Sequence, residues 1–312
     1  MQASLAAPRR AISGEAVPLL DPRGARVVLG SQPGAPLAPI SPSAASLFGP
    51  RGACLAAAGG PLFVCDTGHH RVLVWMKAPV SDDTPADFVI GQPAFTTEGR
   101  RMLNVPTGVA FGEGVLAVAD AWNHRVLLWR GIPQAWDEPP AVALSLGLFW
   151  PYGVALHDGA LYVADTGNRR VLAWDCIPES DRPADRVLRQ DMRWPHALAF
   201  AQDEAFVADA GAHRIVGAGG EIGEDLNMPY GLAVSGRRLI VADTANSRLL
   251  GFELGGSRRY LAGQPSLADK GDNRWGAAVR DSLCWPYGVA ACGGTLVVAD
   301  SGNNRVLLWD LA

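Results

Sequence analysis

Most of the features that announce a function are missing from these 312 residues. No apolar run approaches the length of a membrane-spanning helix. The first 25 residues mix Ala, Pro and Arg with polar side chains, which reads as a flexible lead rather than a signal peptide. A Gly-x-Ser-x-Gly elbow, a phosphate-cradling Gly-rich loop and a His-Glu-x-x-His helix are all absent. The five cysteines, Cys54, Cys65, Cys176, Cys284 and Cys292, are odd in number and show no Cys-x-x-Cys spacing. They read as reduced thiols of a cytoplasmic protein, with a Cys54 to Cys65 pairing across one hairpin left open. A net charge of -4 argues against the broad basic surface that nucleic acid demands.

What the chain does have is repetition. Val-Ala-Asp, four residues, then Arg recurs six times, with Cys65 replacing Ala in the first copy. The Asp and Arg pairs are Asp66 and Arg71, Asp120 and Arg125, Asp165 and Arg170, Asp209 and Arg214, Asp243 and Arg248, and Asp300 and Arg305. Ahead of each Asp stands Pro-x-Gly or Pro-x-Ala, at Pro50, Pro106, Pro151, Pro195, Pro229 and Pro286. The Pro-to-Asp separation is 14 residues in five copies and 16 in the first. That length holds two short strands and a tight turn, as in Gly153-Val154-Ala155-Leu156, a Gly159 turn and Leu161-Tyr162-Val163-Ala164. After the Asp, turn residues lead to a third strand that is apolar at consecutive positions, the pattern of a strand covered on both faces. A fourth strand follows at Phe88 to Gly91, Val142 to Ser145, Arg186 to Leu188 and Tyr260 to Gly263.

A unit of this size buries its apolar faces only against neighbouring copies. Four antiparallel strands per unit, repeated six times around an axis, give an all-β six-bladed β-propeller. The last repeat stops after its third strand, and Arg26-Val27-Val28-Leu29-Gly30 has the fourth-strand pattern ahead of the first repeat. The ring is therefore expected to close by pairing residues 26–30 with residues 305–309, which removes an open edge. Residues 26–312 form one domain, read as a monomeric ring, and residues 1–25 form the lead. The fourth repeat departs most: it has Ala197 for Gly, no aromatic after Arg214 and a short spacing to the fifth, so its outer strand is read as stunted.

Asp165-Thr166-Gly167-Asn168-x-Arg170-Val171, with Pro151-x-Gly153-Val154-Ala155 upstream and Gly-Gln-Pro at Gly91 and Gly263, resembles the NHL-repeat family of β-propellers over residues 26–312. The resemblance implies a rigid platform for a protein or peptide. It also implies two alternatives from different classes, RNA binding and a metal-assisted lyase or lactone hydrolase with a site in the central channel. The family pattern explains His70, His124 and His213, because the residue before the Arg is often Asn or His there. No metal site and no cofactor are expected.

The Asp-to-Arg turns and the Pro-x-Gly segments emerge on one face, here called upper. Six copies of one Asp and Arg pair read as a structural staple, because a catalytic site needs unlike residues converging on one point. Asymmetry carries the functional signal. The connections at residues 31–49, 92–105 and 264–285 are long and adjoin in ring order, and those ahead of Pro151, Pro195 and Pro229 are short. On the low side the variable position of Pro-x-Gly offers Tyr152, His196 and Tyr230, with Tyr287 next around the ring. Trp150, Trp194 and Trp285 lie two residues upstream of three of these, and their rings are read as wedges between blades. The candidate binding residues are Tyr152, His196, Tyr230, Tyr287, Trp150 and Trp194, whose rings offer contact area at low entropic cost. The leading expectation is a non-catalytic, cytoplasmic interaction scaffold with no membrane partner.

Overall fold

The computed structural model describes residues 15–30, 40–223 and 225–312. Six sheets follow one another around an axis. Blade 1 consists of Ala53–Leu55, Leu62–Asp66, Arg71–Trp75 and Phe88–Ile90. Blades 2 to 5 repeat this antiparallel meander from Pro106, Pro151, Pro195 and Pro229. Blade 6 has Pro286–Cys292, Thr295–Asp300 and Arg305–Asp310, and Val27–Gly30 from the other end of the chain as its outer strand. The closing register pairs Val27 with Leu308 and Gly30 with Arg305. The innermost strands touch in sequence, and that of blade 6 touches that of blade 1, so the ring is complete.

Between each two blades lies an apolar layer drawn from both. Blades 6 and 1, for example, share Leu29, Leu47, Leu62, Leu73, Trp75, Val297 and Leu308. The consecutive apolar residues of the second and third strands are explained by this, since each strand faces a layer on either side. Trp75, Trp129, Trp174 and Trp309 are almost fully enclosed. Their indole N–H groups donate to the carbonyls of Thr84, Glu138, Arg182 and Asp21, which ties an outer loop to each blade.

Asp21 in that series corrects the expectation of a flexible lead over residues 1–25. Residues 1–14 lie outside the described residues, but residues 15–25 pack on the ring. Val17–Pro18 runs parallel to Tyr260 and Leu261 as a fifth strand of blade 5. Leu19 and Leu20 enter the layer between blades 5 and 6. Blade 6 has no following outer strand of its own, so the loop that normally binds the Trp must come from elsewhere. The amino-terminal segment supplies it.

The outer loops of blades 1 and 3, which share a Pro-rich acidic pattern, clamp the preceding blade. Asp82 accepts the Val28 amide, and Asp181 accepts the Ser145 amide and hydroxyl. Blade 4 has a short turn instead, and its outer strand, Gly220–Ile222, is as long as the three-residue outer strands of blades 1 and 2, which corrects the expectation of a stunted one. Among the described residues no helix is long and apolar enough to cross a membrane.

Candidate functional site

The Asp of every blade uses its two oxygens for different tasks. Oδ1 accepts the amide of the chain entering the innermost strand, at Phe48, Asn104, Phe149, Arg193, Asn227 and Cys284. Oδ2 accepts the Arg Nε at 2.7 to 3.2 Å. In five blades Oδ2 also meets the side chain three residues on, at His69, Asn123, Asn168, Asn246 or Asn303. Blade 4 has Ala212 there, and Arg214 adds a second bond from Nη2. The carboxylate thus fixes the start of the first strand against the turn between the second and third.

The turn is a short 3-10 segment followed by a left-handed residue, at φ 49 to 59° in all six blades. That residue also bridges to the next blade. Nδ1 of His70, His124 and His213 accepts the amides of Val105, Trp150 and Met228. Ser247 and Asn304 do the same for Trp285 and Gly49. His69 bonds Asp66 and the Ile40 carbonyl. Four of the five upper-face histidines are therefore tied into the frame.

The fifth, His196, lies in an arc at the upper mouth of the central channel. The variable residues of the six Pro-x-Gly segments are Arg51, Thr107, Tyr152, His196, Tyr230 and Tyr287. Ring centroids are 4.6 Å apart for Tyr152 and His196, 4.2 Å for His196 and Tyr230, and 4.6 Å for Tyr230 and Tyr287. The Arg51 guanidinium stands 4.8 Å from the Tyr287 ring centre and ends the arc. The glycine of Pro-x-Gly permits this. A Cβ on Gly52 would stand 2.5 Å from the Thr107 carbonyl oxygen and one on Gly108 2.5 Å from that of Tyr152, so at these two seams the inner strands approach too closely for any side chain. Below the mouth is a cavity of about 380 Å³ with walls of small apolar residues, and Phe111, His157 and Phe200 line it as well.

Burial, assisted by the Arg51 charge, pushes the His196 pKa down to about 3. Burial pushes the Tyr230 and Tyr287 phenols up. At neutral pH the imidazole and these phenols are uncharged, which leaves Arg51 as the formal charge of the arc. None of the residues lining the cavity is Asp or Glu.

Above the mouth, a basin of about 510 Å³ is lined by Phe48, Arg51, Trp122, Tyr152, Trp285 and Tyr287 among others. Trp150, Trp194 and Trp285 are not wedged between blades, which corrects the expectation for their rings. They are 44, 51 and 37% exposed. Trp150 stacks on Phe149 at 5.0 Å. Trp150 and Trp285 have φ near 50° immediately before proline, a backbone state that the sequence does not reveal. The long connections cover neighbouring Asp and Arg pairs. Arg71 donates to the carbonyls of Ser43, Ser46 and Phe95, and Arg305 to those of Val279 and Ser282.

Sequence reasoning placed Tyr152, His196, Tyr230 and Tyr287 where the structure brings them together, and it missed Arg51, Thr107, Phe48 and Trp122. The signal for Arg51 and Thr107 was their shared Pro-x-Gly position. For Trp122 it was a bulky ring in the Asp-to-Arg turn where the other copies have Gly or Ala.

Residues 283–307, which span the end of the connection and most of blade 6, match the family model described as NHL repeat. No curated protein matches the chain in sequence. Among solved structures, it is similar to a chain of the nidogen/laminin complex at 16% identity and TM-score 0.54, covering 75% of this chain and 95% of that one. It is similar to a streptogramin B lyase at 10% identity and TM-score 0.55, over 91% and 98%. The virginiamycin B lyase of Staphylococcus aureus shows 12% identity and TM-score 0.52, over 85% and 96%. Identities this low establish the shared fold alone. With the family match confined to blade 6 and an Asp and Arg pair in every blade, the chain is a six-bladed β-propeller that carries an NHL repeat.

Proposed function

We propose that this propeller is a binding scaffold that receives a protein or peptide on its upper face. The observation that carries the reading is the set of exposed rings on the upper face, Phe48, Trp122, Phe149, Trp150, Trp194 and Trp285, of which Phe48, Trp122 and Trp285 line the basin above the channel mouth. Exposed aromatic surface of this kind is costly to leave in water and marks an interaction site. Its neighbour in the nidogen/laminin complex is a propeller-containing assembly, which supports a protein partner. Five free cysteines, of which Cys54 is pushed up to about 11 by burial, fit a reducing cytoplasmic setting. The test is capture from a soluble extract by the full chain and by a Trp150→Ala, Trp194→Ala, Trp285→Ala variant. The variant should keep its thermal midpoint and lose the captured proteins; an unchanged set of captured proteins would remove the reading.

The second reading is a lyase, favoured by two neighbours whose titles name lyases and by His196 inside the channel. A metal does not fit the arc. It holds one imidazole and no carboxylate, beside a guanidinium, and no group of three His, Cys, Asp or Glu converges among the described residues. A lyase here would have to work with Arg51, His196 and the phenols alone. Assay of the purified protein against streptogramin B and virginiamycin B, the compounds for which those two lyases are named, separates the two readings.

A further inference from the structure

We propose that the channel mouth takes the free carboxylate end of a peptide whose terminal side chain is apolar or aromatic, and that Arg51 holds the carboxylate. The inference rests on the scaffold reading and names the chemistry of its partner. Arg51 differs from the arginines of the repeat. Each of those is bonded to its Asp, whereas the Arg51 guanidinium forms no ion pair and no side-chain hydrogen bond among the described residues. It is half-buried between the cavity and the basin, and neither is lined by an Asp or Glu. Arg100 adds a second cation near the basin, 5.4 Å from the Trp122 ring centre. A chain of net charge -4 therefore carries a local positive field at this one aromatic opening.

The donors available match one carboxylate. A guanidinium presents two parallel N–H groups in the spacing of its oxygens. The hydroxyls of Tyr152, Tyr230 and Tyr287 are not bonded to protein groups among the described residues, and the three rings line the cavity in one arc with His196. A closed ring of six inner strands admits a chain end more readily than a loop, and an ammonium terminus would meet Arg51 with like charge. The Gly, Ala, Val and Leu wall of the 380 Å³ cavity suits one apolar side chain beneath the mouth. Trp150, Trp194 and Trp285 on the rim then cover the residues that precede it.

The test uses the full chain and fluorescein-labelled heptapeptide pools with three randomised C-terminal residues, as free acids or as amides, read by anisotropy. The expected result is free-acid binding at least about tenfold tighter than amide binding, equivalent to about 1.4 kcal/mol. Arg51→Gln should erase that preference and Arg51→Lys should restore part of it. Trp194→Ala should weaken acid and amide pools by the same factor. Equal binding of acid and amide, an unchanged preference in Arg51→Gln, or no binding by any pool would overturn the proposal. So would an amidated pool with internal Glu that matches the free acid, or a hexaribonucleotide pool that binds more tightly. If Arg51→Gln captures the same proteins from extract as the parent while the triple Trp variant loses them, the scaffold reading stands and this inference alone fails.

Discussion

At the top of each blade two positions lie within a few ångströms of one another and have opposite histories in the sequence. The Asp and Arg of the turn are the same in all six copies, and in each the carboxylate joins the incoming amide to the Arg Nε. The residue after the Pro is Arg, Thr, Tyr, His, Tyr and Tyr in turn, and these side chains make an arc without the sixfold identity of the frame. The first position holds the ring together, and it does so identically because each blade poses the same geometric problem. The second faces the axis, where six copies of one residue would give a symmetric ring. Departure from the repeat is what gives the mouth a direction, with a cation at one end and neutral rings along the rest.

The frame itself is uneven, and the largest expected effects exploit that. Arg71, Arg248 and Arg305 are fully buried, whereas Arg125, Arg170 and Arg214 are about a third exposed. Arg305→Ala leaves the Asp300 carboxylate enclosed without its cation and is expected to cost about 3–5 kcal/mol. Arg170→Ala, with water able to replace the guanidinium, should cost about 1 kcal/mol. Urea midpoints of the two variants measure the contrast, and equal losses would show that the long connections contribute nothing to the staple. A smaller effect is expected at the seams. Gly153→Ala would drive its Cβ into the His196 carbonyl and should cost about 1–3 kcal/mol. Ala197 already occupies the equivalent place in blade 4, so Ala197→Gly should change stability little by comparison.

Acid should separate the frame from the mouth. His196 is held well below the usual histidine value in the folded chain, so below about pH 6.5 the unfolded chain binds a proton that the folded one refuses. Its contribution is fully present above pH 6.5 and is lost as pH falls toward 3, by up to about 1.4 kcal/mol for each pH unit. His196→Phe should leave the neutral-pH midpoint nearly unchanged and flatten that part of the acid limb. A parallel loss in parent and variant would mean that the imidazole reaches water freely and that the mouth is wetter than its packing indicates.

Much of the frame was legible because repetition turns one local pattern into six. The closing register of residues 26–30 on residues 305–309 followed from a missing strand at one end and a spare one at the other. The amino-terminal strap was not legible. Leu19 and Leu20 are two apolar residues without a period, and the strand beside them lies more than two hundred positions away in sequence. The arc from Tyr152 to Tyr287 could be found by aligning the Pro-x-Gly positions, but attention to aromatic residues concealed Arg51 and Thr107 at the same position. The outward setting of Trp150 and Trp285 depends on left-handed backbone ahead of proline, which residue preference argues against.

The smallest test concerns how each blade grips the next. Thr67, Thr166, Thr244 and Ser301 each donate a hydroxyl proton to the carbonyl of the proline that starts the following blade. Blades 2 and 4 have Ala121 and Ala210 at this place and no such bond; at the first of these seams Thr107 bonds the Tyr152 carbonyl instead. A ring that tolerates two missing latches cannot depend strongly on any one of them. Thr166→Val keeps the shape of the side chain, removes the 2.5 Å bond to Pro195 and should cost about 1 kcal/mol. Because Pro195 precedes His196, the same variant tests whether the frame positions the mouth. A loss of stability with peptide binding intact would show the latch to be a seam fastener only, and a matching loss of acid-over-amide preference would show that the arc takes its geometry from the seam beneath it.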